Sequence, residues 1–232
     1  MSETGPDAVP DAARQLDHEG WALLPACVAP RSVRALIRVT ARRTSHDAGS
    51  RQWLAQPACA ALAERLRARL AAMGLLPAAS AAVQCTLFDK RADRNWLVAW
   101  HQDLSVPARA AGRAVRLKEG EPFTQAPEEV LRQLLAVRIH LDDCGPLAGA
   151  LRVVPRSHGA GWLDNAQARL WRLREGEQLC TARAGDVLLM RPLLLHASSR
   201  MQAPVRRRVL HFLFAPVPGP VGWCWNRCVP AP

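Results

Sequence analysis

Trp96-Leu97-Val98-Ala99-Trp100-His101-Gln102-Asp103 begins as an apolar, strand-like run and ends on two residues able to bind a metal ion. In an extended chain successive side chains point to opposite faces, so His101 and Asp103, two apart, share a face and offer two ligands from one segment. A third ligand must come from elsewhere. His196, in Leu193-Leu194-Leu195-His196-Ala197-Ser198 after another apolar run, is the candidate. Two neutral imidazoles and a carboxylate on one face of an octahedron leave three positions open, which suits Fe(II) in oxygen chemistry. A closed structural zinc site would leave none. Downstream, Arg206-Arg207-Arg208 opens a further strand-like run. A guanidinium fork there can hold a carboxylate by two parallel charge-assisted hydrogen bonds and stays charged at any working pH. Alternation turns Arg207 to one face and Arg206 and Arg208 to the other, so the register decides which of them faces the metal.

Outward from this segment, short runs bounded by Gly, Pro or Asp read as strands over 83–88, 135–141, 150–154, 186–190 and 208–214. Upstream the pattern is helical over 7–19 and 30–43, with a short strand at 21–24 between them. A third helix follows Pro57, where Leu62, Leu66, Leu70 and Met73 recur at helical spacing. Many short strands after a helical start predict a mainly β fold with flanking helices: an antiparallel double-sheet barrel of jelly-roll type. The helical part spans about 7–75 and the barrel about 80–215 of a single domain covering 1–232, an ordinary length for one β-rich unit. Between Asp103 and Leu134 there is little apolar periodicity, and Pro107, Gly112, Gly120, Pro122 and Pro127 interrupt the chain. That stretch reads as a long loop leaving the ligands directly, either a lid and substrate loop or a surface excursion.

Hydrophobic residues at 49% and charged residues at 22% exclude disorder except at the extreme ends. No run approaches the roughly 18 apolar residues of a membrane span, and the start is acidic where a secretory signal is basic and then apolar. A soluble, cytoplasmic protein is expected. The net charge is +11, yet only Lys90 and Lys118 are lysines. Arg31, Arg34, Arg38 and Arg42 share one side of a helix whose other side carries Val33, Leu36 and Ile37, so they form a solvated face or an anion-attracting surface. The excess of Arg is spread along the chain without interleaved aromatics, which argues against a nucleic-acid-binding protein. The seven cysteines show no CxxC spacing and read as reduced thiols, with Cys224 and Cys228 open to closing a small tail loop or binding a metal.

In company, these motifs carry more than they do alone. Phe88-Asp89-Lys90, Asn95-Trp96, Trp100-His101-Gln102-Asp103, Val137-Arg138-Ile139-His140-Leu141-Asp142-Asp143, Gly149-Ala150-Leu151-Arg152-Val153-Val154-Pro155-Arg156-Ser157-His158 and Gly185-Asp186-Val187-Leu188-Leu189-Met190-Arg191-Pro192 together resemble the phytanoyl-CoA dioxygenase family of Fe(II)/2-oxoglutarate oxygenases. The resemblance is strong over about 80–215 and loose over the N-terminal helices. It implies a double-stranded β-helix of cupin-like form, Fe(II) as the metal, and 2-oxoglutarate and O2 as co-substrates. It also implies that His101, Asp103 and His196 are the facial triad and that Arg207 grips the distal carboxylate of 2-oxoglutarate. Ser198 matches a position that hydrogen-bonds the same carboxylate, or is a turn hydroxyl. Gln84 and Lys90 fall where the family places co-substrate or substrate contacts; each also has a plain reading, as a buried polar side chain and a strand-end charge. Relatives that halogenate carry a small residue in place of the carboxylate ligand, so Asp103 implies hydroxylation of a small organic or acyl substrate.

His18, His46 and His211 lack the spacing to join the triad, and His140 and His158 read as structural hydrogen-bonding residues. Arg156 stands where the family has Gly in a PGSH-like turn. Either the turn is unstrained or a cation is placed near the mouth of the site. A zinc-dependent hydrolase using the same three ligands is the alternative enzyme, but it has no use for an Arg behind the metal.

Overall fold

The structure, a computed structural model, describes residues 8–41 and 49–229. Asp7, Arg42, Arg43 and His46 lie outside the described residues. The chain runs α1 (Ala8–Glu19), β1 (Trp21–Leu24), α2 (Pro30–Ala41), β2 (Gly49–Ser50), α3 (Pro57–Ala72), β3 (Ser80–Lys90) and β4 (Val98–His101). It continues through β5 (Ser105–Val106), β6 (Ala108–Ala110), β7 (Val115–Lys118), β8 (Glu121–Gln125), α4 (Glu128–Leu131), β9 (Leu135–His140) and β10 (Leu151–Val153). The last elements are α5 (Asn165–Glu175), β11 (Gln178–Cys180), β12 (Val187–Met190), β13 (His196–Ser198), β14 (Arg207–Pro216) and β15 (Trp223–Trp225).

Two antiparallel sheets form the body: six strands in the order β1-β12-β9-β14-β3-β2, and four in the order β11-β10-β13-β4. This is the expected mainly β, double-stranded β-helix architecture, with helices against one side. Strand alternation explains the layering. On the outer face of the large sheet Cys85, Leu87, Val137, Ile139, Leu189, Leu210, Phe212 and Phe214 pack against Leu16 of α1, Val33 and Leu36 of α2, and Leu62, Leu66 and Leu70 of α3. Each large apolar side chain buried there contributes roughly 1.5–3 kcal/mol. The alternate residues of the same strands point inward, Gln84, Thr86 and Phe88 on β3, Arg138 on β9, and Arg207, His211 and Leu213 on β14, and they line a cavity between the sheets. On α2, Arg31, Arg34 and Arg38 are exposed.

The segment after Asp103 corrects the loop expectation. It is folded: β5, β8 and β7 form a three-stranded sheet, and β6 pairs with β15. The β7–β8 hairpin turns through Glu119 and Gly120, with φ of 51° and 79°, between the paired residues Lys118 and Glu121. Two positive φ values in a two-residue loop match the favoured hairpin turn, normally signalled by Asn-Gly or Asp-Gly; Glu-Gly hides it. Helix α5 was also unforeseen. It buries no side chain, so it carries no stripe, and it is held by a capping box between Asp164 and Gln167. All seven cysteines are free thiols, Cys224 and Cys228 included. Arg156 does adopt φ of 65°, so the turn has the conformation usually left to Gly, while its side chain pairs with Glu175. No helix among the described residues is long and apolar enough to cross a membrane.

Candidate metal centre

Strand β4 ends at His101, and Asp103 follows in extended chain, its N–H bonded to the carbonyl of Pro192 at 2.9 Å. That bond ties the first ligand segment to the turn leading into β13, where His196 stands directly opposite His101. Gln102, between the two ligands, points the other way. Its amide donates to the carbonyls of Gly161 and Leu193 and accepts from Leu163 N–H, so it clamps the segment from behind.

The three candidate ligands converge. His101 Nε2 lies 3.7 Å from one Asp103 oxygen and His196 Nε2 lies 3.8 Å from the other. The imidazole centroids are 4.2 Å apart, and the three ligand atoms lie within 4.8 Å of one another. Each ring is oriented by a hydrogen bond at 2.8 Å to the carbonyl two residues upstream, His101 Nδ1 to Ala99 and His196 Nδ1 to Leu194. A carbonyl can only accept, so Nδ1 carries the proton and the Nε2 lone pair is free to bind a cation, the tautomer that metal-binding imidazoles use. Burial lowers the His196 pKa to about 4, against the pull of Asp103, which keeps the ring neutral. Partial shielding pushes the Asp103 carboxyl up, but His196, His211, His101 and Arg138 outweigh it and hold the group ionised.

Behind this cluster the cavity measures about 380 Å³. Arg207 and Ser198 line it and are buried. Arg207 Nη1 donates to Gly149 O at 2.7 Å, Cys144 lies beside it, and its Nε has no partner. Arg206 and Arg208 face away, in bidentate pairs with Asp89 and Asp142. Gln84 reaches the cavity and donates to Thr86 Oγ1 at 2.8 Å. Lys90 does not line the cavity. It sits fully buried behind Ser198, donating to Ser198 Oγ at 2.9 Å and to Ser199 O at 2.7 Å. Because Lys90 occupies Ser198 Oγ as acceptor, the Ser198 proton is free to point at an oxygen in the cavity. Burial, then Arg207 and Arg138, lower the Lys90 pKa to about 7.

Besides Arg51 and Lys118 on the hairpin side, sequence reasoning missed two titratable cavity residues of the large sheet, Arg138 and His211. They pair across β9 and β14, and Arg138 Nη1 donates to His211 Nδ1 at 2.9 Å. A buried Arg in the mostly apolar run 135–141 was the available signal. His158 makes the expected structural bond, to Asp17 O at 3.1 Å, whereas His140 is buried with Nδ1 unpartnered.

A buried, incompletely partnered guanidinium beside a free hydroxyl donor fits a carboxylate ligand. Two neutral imidazoles and a carboxylate fit Fe(II). Comparison with known proteins agrees. The family model for phytanoyl-CoA dioxygenase (PhyH) matches residues 16–209. No curated protein shows significant similarity to the chain. Among solved structures, the chain resembles the non-haem α-ketoglutarate-dependent epimerase SnoN from nogalamycin biosynthesis, at 16% identity and TM-score 0.67, over 91% of this chain and 84% of that one. EctD from S. alaskensis in its apo form matches at 21% identity and TM-score 0.71, over 94% and 81%. HygX from Streptomyces hygroscopicus, with nickel and 2-oxoglutarate bound, matches at 18% identity and TM-score 0.64, over 89% and 87%. At such identities these likenesses carry the fold alone. The family match removes the zinc hydrolase reading: spanning most of the chain, with all three converging candidate ligands and Arg207 inside it, it shows that this protein belongs to the phytanoyl-CoA dioxygenase family of Fe(II)- and 2-oxoglutarate-dependent oxygenases.

Proposed function

We propose that the protein hydroxylates a small organic or acyl substrate, with His101, Asp103 and His196 holding Fe(II) and Arg207 and Ser198 holding the distal carboxylate of 2-oxoglutarate. One observation carries this reading: two oriented Nε2 atoms and a carboxylate converge at a cavity whose wall presents Arg207 with an unpartnered Nε. When bound, Fe(II) would let O2 act as the oxidant, one oxygen atom going to 2-oxoglutarate, which leaves as succinate and CO2, and the other to the substrate. The chain's own residues do the rest. Ala99 and Leu194 carbonyls fix the ligand tautomers, and Gln102 fixes the strand that carries two of them. Arg207 meets a carboxylate with its free edge while Gly149 holds its other nitrogen. Lys90 directs the Ser198 proton toward the same carboxylate and adds positive charge behind it.

Asp103 fills the carboxylate ligand position, which supports hydroxylation over halide transfer. Leu104, Val106 and Phe123 close the cavity on the hairpin side, which would shield the reaction from bulk water. The experiment is turnover of 2-oxoglutarate to succinate by the Fe(II)-loaded protein under O2, with organic acids and acyl compounds as substrates. Succinate release that disappears in His196→Ala, together with a product heavier by one oxygen, supports the proposal. No Fe(II)-dependent succinate release with any substrate, or without one, would refute it.

A further inference from the structure

After Arg207, Arg138 is the most deeply buried cation lining the cavity. It lies on β9 in the middle of the large sheet, 6% exposed, and points into the cavity between the sheets. Burying a guanidinium is costly unless it is paired. Among the described residues it forms no ion pair; its side-chain partner is the His211 ring, and its Nε has no partner at all. Because a guanidinium only donates, His211 must accept at Nδ1 and carry its own proton on Nε2, so the pair presents donors and no acceptor. Phe88 holds both in place, with Arg138 over its ring at 5.6 Å and His211 edge-on at 5.9 Å.

Charge bookkeeping separates Arg138 from the co-substrate machinery, and here the argument rests on the function proposed above. A divalent metal, the Asp103 carboxylate, the 2-oxoglutarate dianion and Arg207 together come to zero. Arg138 remains, as do the fraction of Lys90 that is protonated and, on the hairpin wall of the cavity, Lys118; Arg51 beside it is paired with Glu119. Along β14, Arg207 and His211 are four residues apart, roughly 13 Å at the usual rise of an extended strand. Arg138 is level with His211, so its backbone lies four residues along the sheet from that of Arg207, although the two guanidiniums feel each other's charge. Toward the hairpin Leu104, Val106 and Phe123 line the cavity, with Lys118 and Arg51 over the Phe123 ring at 4.6 and 5.9 Å. An apolar body with one anionic end would match these walls.

We propose that Arg138, braced by His211, anchors a carboxylate of the organic substrate, so that the protein acts on a small organic acid with an apolar body. A carboxylate near Arg138 could instead be the one of 2-oxoglutarate that lies nearest the metal, and the test separates the two sources. The Ni(II)-loaded protein is saturated with 2-oxoglutarate, and calorimetry follows the binding of acetate, butanoate, hexanoate and 3-phenylpropanoate, each against its uncharged primary amide. The expected result is at least one acid that binds tenfold or more tighter than its amide, as befits a hydrogen-bonded charge, with the preference lost in Arg138→Gln. The affinity for 2-oxoglutarate, measured first in each protein, should change less than threefold in that variant.

If no acid is preferred over its amide in the unaltered protein, the proposal falls, and that comparison needs no variant to fold. A preference that survives in Arg138→Gln places the acid on the metal or elsewhere and overturns the assignment. A large loss of 2-oxoglutarate affinity in Arg138→Gln gives the residue to the co-substrate and likewise overturns it. Failure of 2-oxoglutarate to bind the unaltered Ni(II) protein strikes at the underlying functional reading instead, and is seen before any acid is added.

Discussion

Replacing Arg207 with Met tests the co-substrate assignment through two effects of opposite sign. In the unliganded protein Arg207 is 2% exposed, Nη1 is bonded to Gly149 O, Nε is unpartnered, and burial holds its pKa below the usual value. Met has similar length and no charge. Losing the charged bond to the buried Gly149 carbonyl costs about 1.5–3 kcal/mol, but the desolvation of an incompletely paired cation, several kcal/mol in a protein interior, disappears with it. The unliganded variant should therefore unfold no earlier than the parent. Binding moves the other way. Truncating one partner of a buried, hydrogen-bonded charge pair costs roughly 2–5 kcal/mol, which is about a 30- to 5,000-fold weaker hold on 2-oxoglutarate. Calorimetric titration of 2-oxoglutarate into the Ni(II)-loaded protein without O2 reads the second effect, and thermal unfolding without ligand reads the first. Arg206→Met and Arg208→Met are the controls. Their bidentate pairs with Asp89 and Asp142 lie outside the cavity, so they alter stability and leave 2-oxoglutarate affinity unchanged. Affinity within threefold of the parent in Arg207→Met, or a larger loss in either control, would falsify the assignment.

Lys90 sets a pH dependence: its pKa is about 7, lowered from 10.5 by burial and by Arg207 and Arg138, with Cys144 the opposing neighbour. The folded state binds fewer protons than the unfolded one between these values, so unliganded stability should rise with pH from 7 toward 10.5. A bound dianion restores the charge, so 2-oxoglutarate binding takes up a proton and weakens by up to about tenfold per pH unit above 7; a flat affinity profile, or one no flatter in Lys90→Met, removes Lys90 from the site. His196→Ala should abolish stabilisation by Ni(II), which in the parent reaches about 2.7 kcal/mol at a hundredfold excess over Kd; an equal thermal shift in the variant places the metal elsewhere. Gly149→Ala should lower both stability and 2-oxoglutarate affinity, because Gly149 has φ of 67° and a Cβ would fall 2.7 Å from Ser199 O, displacing the carbonyl that holds Arg207; unchanged affinity would disconnect the two. Hydrogen exchange should find amides of the β7–β8 pairing protected without any ligand, in contrast to the open loop read from sequence.

The fold was legible where periodicity is imposed by burial on one side. Helix α3 and the inward–outward alternation of β3 and β14 follow from that rule, and the two-apart spacing of His101 and Asp103 is the same rule applied to ligands. Legibility failed where burial does not act. Helix α5 stands on the surface with Leu170 and Leu173 exposed, so no stripe betrays it. The hairpin around Glu119 and Gly120 uses a turn dipeptide outside the usual pair. Within the site, Arg207 could be singled out because a charge was expected behind the metal. Arg138 and His211 escaped because each looked like an anomaly in an apolar strand, and only the pairing of β9 with β14 shows that the two anomalies are neighbours.

That pairing has a further consequence for how the site tolerates change. On β14 the outward set Leu210, Phe212 and Phe214 is held by the helices, while the inward set Arg207, His211 and Leu213 forms cavity wall. A one-residue slip of this strand would place Arg206 and Arg208 inside and expel three large apolar side chains from the core. At roughly 1.5–3 kcal/mol for each of them, the slip costs most of what a domain of this size has in net stability. The packing beneath the sheet is thus what keeps Arg207 aimed inward, and the β3 partner reinforces it: Lys90 faces Arg207 and Asp89 faces Arg208 in the same register, so the outer ion pairs of Arg206 and Arg208 also exist only when Arg207 is in the cavity. The position of the proposed carboxylate grip is therefore set by apolar contacts on the far side of the strand as much as by any group in the site.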